Sequence, residues 1–152
     1  DHDGTHVGTM AGRFPGIHGM QLRIEDGTPY LYAAHLPGKQ AVKLRMDGTH
    51  VWTLGVPMES GHYDDNPDAY NPTSVAVAPD GRIYVADSEN HRIQVFTKEG
   101  TYVRTIGAAT HANLGDIGIN QFNSPWGVAV GANCVYVADT FNNRILAFLK
   151  KI

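Results

Sequence analysis

The sequence predicts an all-β chain built from repeated four-stranded antiparallel units. Three observations predict it. First, residues 71–107 hold four short apolar runs, Val75–Val77, Ile83–Ala86, Ile93–Phe96 and Tyr102–Ile106, divided by Pro79-Asp80-Gly81, by the polar stretch Asp87–Asn90 and by Lys98-Glu99-Gly100. Alternation broken by Gly, Asp and Asn is the pattern of an antiparallel meander. Second, the pattern returns at 124–152, where Pro125, Val128-Ala129-Val130, Tyr136-Val137-Ala138-Asp139 and Asn142-Asn143-Arg144-Ile145 match Pro72, Val75-Ala76-Val77, Tyr84-Val85-Ala86-Asp87 and Asn90-His91-Arg92-Ile93. Third, a weaker copy runs from Ile17-His18-Gly19 through Tyr32-Ala33-Ala34 to Val51-Trp52-Thr53-Leu54-Gly55. A single sheet cannot bury both of its faces, and four-stranded units at this period are propeller blades.

Taken in order, Asp3-Gly4-Thr5-His6-Val7 parallels Asp47-Gly48-Thr49-His50-Val51 and Glu99-Gly100-Thr101-Tyr102-Val103, so residues 1–12 read as the last turn and fourth strand of a blade. Two blades follow, at 17–55 and 71–107. The unit at 124–152 stops after its third strand and is completed by 1–12. The chain is therefore one domain of three blades. Three blades do not close a ring, since propellers have four to eight. Two copies would make six, as a homodimer about a two-fold axis. A designed half-ring, or a piece of a longer chain, remains open; the first residue is not Met. Either way Thr5 to Met10 is expected to pair with Arg144 to Phe148, within one chain or across two.

Composition fits a turn-rich fold with one real core: 152 residues, 17 Gly, 8 Pro and a formal charge of −3. The charge and the lack of any Lys/Arg run argue against nucleic acid and anionic membrane partners. No apolar run approaches a membrane helix in length. The expectation is a soluble chain, with a secreted or periplasmic setting left open. The single cysteine, Cys134, reads as an inert thiol at the start of a strand.

The Pro, Val-Ala-Val, Tyr-Val-Ala-Asp and Asn-x-Arg-Ile pattern resembles the NHL repeat of six-bladed β-propellers. The match is specific at 71–107 and 124–152 and looser at 17–55. The resemblance implies a binding or scaffolding module. Ile17-His18-Gly19 also resembles the zinc-binding blade positions of peptidyl-α-hydroxyglycine α-amidating lyases, six-bladed relatives that hold zinc over the channel with histidines from alternate blades. Here one blade in three has the histidine, and catalytic zinc takes three protein ligands with an open position.

In such a fold the long links, 56–71 and 108–123, share a face with the turns between second and third strands. Function sits on long loops over a rigid scaffold. The first link gathers His62, Tyr63, Asp64, Asp65, Asp68 and Tyr70, a set suited to a hard cation such as calcium or to plain hydration. The second link, with His111, Asp116 and Asn120, reads as a spacer. At the channel mouth His18, Thr73 and Trp126 stand at equivalent blade positions. The expected metal ligands are His18, His62 and Asp64, with zinc or calcium as the ion and no cofactor certain. The expected binding residues are Thr73, Trp126, Tyr63 and Tyr70, where aromatic rings would stack on a small molecule, a sugar or a peptide. The bland alternatives are a channel-lining histidine and a tryptophan capping the core. Asp87 with Arg92, and Asp139 with Arg144, recur as structural ties. The first blade reads as having His35 where the second has Ser88, and Ala34 in place of the aspartate. No nucleophile–base pair and no phosphate loop is present. A binding module is the main reading, and an enzyme of the metal-lyase type around His18 the alternative.

Overall fold

The computed structural model describes residues 4–6, 8–9, 14–54, 71–107 and 118–150. Among the described residues eleven strands form three consecutive antiparallel sheets. The first blade holds β1 (Ile17–Glu25), β2 (Thr28–His35), β3 (Gln40–Arg45) and β4 (His50–Leu54). The second holds β5 (Pro72–Val77), β6 (Ile83–Asp87), β7 (Arg92–Phe96) and β8 (Tyr102–Ile106). The third holds β9 (Pro125–Val130), β10 (Cys134–Asp139) and β11 (Arg144–Leu149), with a 3-10 turn at Thr140–Asn142. Each sheet is a plain meander, and the fold is a β-propeller with three blades in this chain.

Local chemistry explains the hairpins. Asp26 and Gly27 both have positive φ, 48° and 78°, the conformation of a two-residue turn that matches the twist of its flanking strands. Between strands, side-chain alternation assigns each blade two faces. In β5, Val75 and Val77 point toward the first blade and Ala76 toward the third. The joint between the first and second blades packs Val75, Val77, Ile83, Val85 and Phe96 with Tyr32, Ala41 and Leu54. The joint between the second and third packs Ala76, Tyr84, Ala86, Ile93 and Val95 with Val128, Val135 and Val137. Tyrosine and alanine on one side meet branched aliphatics on the other, so large fits small across the joint.

Two sheet faces have no neighbouring blade among the described residues. On the first blade Met20, Leu22 and Ile24 are exposed, while Phe14 and Ile17 pack over Ala33, Val42 and Leu44 farther out. On the third blade Tyr136, Ile145 and Leu149 are exposed. The third sheet has three strands among the described residues. Gly4, Thr5, His6, Gly8 and Thr9 form no strand, so the fourth strand expected from 1–12 is not paired with β11 by those residues within the chain; Val7 and Met10 lie outside the described residues.

One expected equivalence is corrected. Asp87 lies opposite Arg92 and Asp139 opposite Arg144, and the pair in that position on the first blade is His35 and Gln40. His35, not Ala34, stands where the other blades have aspartate. The strand pairing fixes this register, which the divergent first repeat does not reveal by residue type.

Candidate functional site

The turn between the second and third strands is tied in the same way in two blades. The Asp87 carboxylate accepts from the Asn71 backbone N–H at 3.1 Å, from Asn90 Nδ2 at 3.0 Å and from Arg92 Nε at 2.8 Å. The Asp139 carboxylate accepts from the Asn123 N–H at 2.6 Å, from Asn142 Nδ2 at 2.9 Å and from Arg144 Nε at 2.7 Å. One carboxylate thus pins the start of the first strand, the turn and the third strand together. Burial pushes the Asp87 carboxyl above its usual value, opposed by the Arg92 charge and by its three hydrogen-bond donors.

A family model for the NHL repeat matches residues 70–96 and 122–148, the two segments that carry these ties. The second and third blades are NHL repeats. NHL repeat-containing protein 2 of Gallus gallus is 42% identical over 76 residues, covering 49% of this chain and 10% of that protein. A probable peptidyl-alpha-hydroxyglycine alpha-amidating lyase of Caenorhabditis elegans is 37% identical over 101 residues, covering 64% of this chain and 27% of that protein. Among solved structures, a catalytically inactive virginiamycin B lyase from Staphylococcus aureus with quinupristin overlays with a TM-score of 0.58 at 14% identity, covering 95% of this chain and 44% of that one. The chain therefore spans about a tenth and about a quarter of the two curated relatives and under half of the solved structure.

A cleft of about 470 Å³ lies on the face that carries the turns between second and third strands, lined in part by Asn71, Ser88 and Glu89 beside the Asp87 tie. His18, Thr73 and Trp126 are each the second residue of their inner strand, and all three line it. Thr73 forms the buried floor: its hydroxyl meets Ser88 Oγ, which donates to the Pro125 carbonyl at 2.7 Å. That stitch joins the second blade to the third. His18 is exposed and its Nδ1 lies 3.2 Å from the Thr73 carbonyl. A carbonyl only accepts, so Nδ1 carries a proton, and in the neutral ring Nε2 is then the acceptor. The His18 and Trp126 rings meet edge to face at 6.3 Å, and Trp126 meets Phe141 at 6.1 Å. Trp126 is 48% exposed and Phe141 60%.

His91 completes the rim. Its φ of 54° turns the backbone, and its Nδ1 accepts from the Ser124 N–H at 2.9 Å, which places the ring proton on Nε2. His91, Ser124, Glu89 and Phe141 were not singled out as binding residues from sequence. The signal for Phe141 is an aromatic residue in an exposed turn where the preceding blade has Glu89.

His62, Tyr63, Asp64 and Tyr70 lie outside the described residues, as do Asp65, Asp68, His111 and Asp116. Among the described residues no three His, Cys, Asp or Glu side chains gather as a metal site. His18 has no second ligand beside it there, so these residues do not by themselves fit catalytic zinc. No helix among the described residues is long and apolar enough to cross a membrane.

Proposed function

We propose that this chain is a binding and scaffolding module of the NHL class, acting as a closed ring of two copies, with its ligand held in the channel-mouth cleft. The observation that carries the reading is the exposed aromatic pair, Trp126 and Phe141, set edge to face above a floor whose polar groups are already hydrogen-bonded to one another. Exposed aromatic rings on a rigid rim offer apolar area at little cost in conformational entropy. His18 Nε2 adds one acceptor. The set suits a small ring-bearing ligand, a sugar or an aromatic peptide side chain, approached on its flat face and fixed by one donor.

The test is titration of tryptophan fluorescence with chitotriose and, separately, with a tyrosine-containing tetrapeptide. A saturable change with one of them is expected, lost in Trp126→Ala while the far-ultraviolet circular dichroism is unchanged. No saturable change with either probe overturns the reading.

A second reading, a metal-dependent lyase, is favoured by the free Nε2 of His18 and by the 37% identity to the worm protein. It separates from the first by zinc. Elemental analysis of the purified chain and a thermal shift with added zinc, lost in His18→Ala, support the lyase reading, and no shift removes it.

A further inference from the structure

The turn between β6 and β7 is clamped to the third blade at two points. Ser88 Oγ donates to the Pro125 carbonyl at 2.7 Å, and the Ser124 N–H donates to His91 Nδ1 at 2.9 Å. Glu89 lies between the two clamps, one residue beyond Ser88, and Trp126 lies one residue beyond Pro125. The carboxylate and the indole therefore flank one blade junction and line one cleft. Glu89 is exposed, and Asn71 Nδ2 donates to its Oε1 at 3.2 Å, which steadies it at the rim. Phe141 holds the matching position of the next repeat, since each residue stands two places after the tie aspartate, Asp87 or Asp139. Successive blades thus raise a charge and a ring from the same point of their turns.

The polar groups of the cleft are biased toward one kind of partner. Among the described residues that line it, Glu89 is the one carboxylate and no lysine or arginine is present. The floor hydroxyls spend their protons on each other and on the backbone: Ser88 donates to the Pro125 carbonyl, so the Thr73 hydroxyl donates to Ser88. His18 Nδ1 donates to the Thr73 carbonyl, so Nε2 of the neutral ring is an acceptor. A carboxylate that accepts one amide N–H has capacity for more, with about four lone-pair sites in all. The Trp126 and Phe141 rings, 6.1 Å apart at 66°, add faces whose quadrupole is negative. Carboxylate, imidazole lone pair and ring faces all favour a positive charge that donates hydrogen bonds. The neutral Ser124 hydroxyl in the same cleft brings no charge to offset Glu89, so an anionic ligand is repelled.

We propose that the ligand of this cleft is an arylalkylamine, whose ring lies against Trp126 and Phe141 and whose primary ammonium group is selected by Glu89. This rests on the reading of the cleft as a ligand site and names the class of ligand it takes. A primary ammonium has three N–H donors for an acceptor-rich rim, where a quaternary ammonium has none. Glu89 is the specificity-determining residue, and the rings supply affinity common to any aromatic ligand.

The experiment titrates the full 152-residue chain by calorimetry with phenethylamine, N-acetylphenethylamine and 3-phenylpropionate at pH 8. The three probes share a ring and differ in charge: positive, neutral and negative. At that pH an ordinary imidazole is neutral and does not oppose the amine. Phenethylamine is expected to bind about tenfold more tightly than its N-acetyl derivative, through a hydrogen bond to the carboxylate and cation–π contact, with 3-phenylpropionate weakest. In Glu89→Gln the preference for the amine disappears and the N-acetyl derivative binds as before. Glutamine keeps the length and still accepts from Asn71, and Glu89 has no part in the Asp87 tie, so the urea midpoint is expected to stay unchanged. Any other order of affinity, or a preference that survives Glu89→Gln, overturns the ammonium inference and leaves the cleft as a site for aromatic ligands. No binding by any of the three overturns the inference as well, and the chitotriose and tetrapeptide titrations then decide separately whether the cleft is a ligand site.

Discussion

Ile93 and Ile145 occupy the same place in two copies of one repeat. Each sits on a third strand, opposite an alanine of the second strand. Ile93 is fully buried and Ile145 is 76% exposed. Tyr84 and Tyr136 differ in the same way. The aspartate–arginine tie does not: Asp87 and Asp139 are both buried with near-identical donors. The repeat therefore encodes two things of different kinds. Its polar tie is satisfied within the blade and a little of the loop before it. Its apolar faces are satisfied only by another blade, and the third blade has one such neighbour where the second has two.

The largest effect that separates the two blades should come from the tie itself. Asp87→Ala leaves the Arg92 guanidinium, whose side chain is 3% exposed, without its carboxylate, and strips an acceptor from Asn71 and Asn90. Breaking a buried pair from one side costs about 3–5 kcal/mol. Asp139→Ala exposes a milder fault. Arg144 is 25% exposed and keeps the Gly118 and Gln121 carbonyls, so a loss of about 1–3 kcal/mol is expected. Urea unfolding of both variants checks the ranking; equal losses would show that the blades are not distinguished by burial at the tie.

Next is the isoleucine pair. Ile93→Ala opens a cavity in the joint with the third blade and should cost about 2–5 kcal/mol. Ile145→Ala removes a solvent-facing side chain and should cost under about 0.5 kcal/mol in a single chain. If the free face takes a second copy, Ile145→Ala instead weakens association, and its unfolding midpoint becomes dependent on protein concentration. Denaturation of both variants at two concentrations reads the difference.

Much of the fold was legible because each repeat announces its strands by β-branched alternation and its turns by residues such as Pro79-Asp80-Gly81. The ties were legible because Asp and Arg recur at one spacing. The first blade was misaligned by one residue at Ala34 because it lacks both partners of the tie, leaving only strand pairing to show that His35 faces Gln40. The cleft was half legible. His18, Thr73 and Trp126 come from inner strands, where the repeat fixes position. His91 and Ser124 come from backbone at φ of 54° and 46°, and Phe141 from a 3-10 turn, so their meeting depends on how blades stack and not on any local pattern. Burial of the Thr73 hydroxyl against Ser88 was likewise hidden, since it needs the third blade's Pro125 to close the chain of bonds.

A pH-dependent effect is expected at the first joint, where the repeat's tyrosine is used differently. Tyr32 lies opposite Lys43, whereas Tyr84 lies opposite Val95 and Tyr136 opposite Ala147. Tyr84 Oη is buried with no partner among the described residues, but Tyr32 Oη donates to Glu25, which also accepts from Lys43 Nζ at 2.6 Å. Burial by itself would raise the Glu25 carboxyl, but the hydrogen bonds from Lys43 and Tyr32 and the Lys43 charge outweigh it and hold it below its ordinary value of 4.5. A depressed carboxylate stabilises the fold above its unfolded pKa, and the contribution fades as pH falls through the folded value. Glu25 is 33% exposed, so solvent screening limits the effect to about 1 kcal/mol. Glu25→Gln should therefore lower stability at pH 7 by about that much and converge on the parent chain as pH drops below 4.5. Urea midpoints of the two chains at pH 7 and pH 3 measure it. A gap that persists unchanged at pH 3 would mean that the carboxylate's charge contributes nothing to the first joint and that only its packing matters.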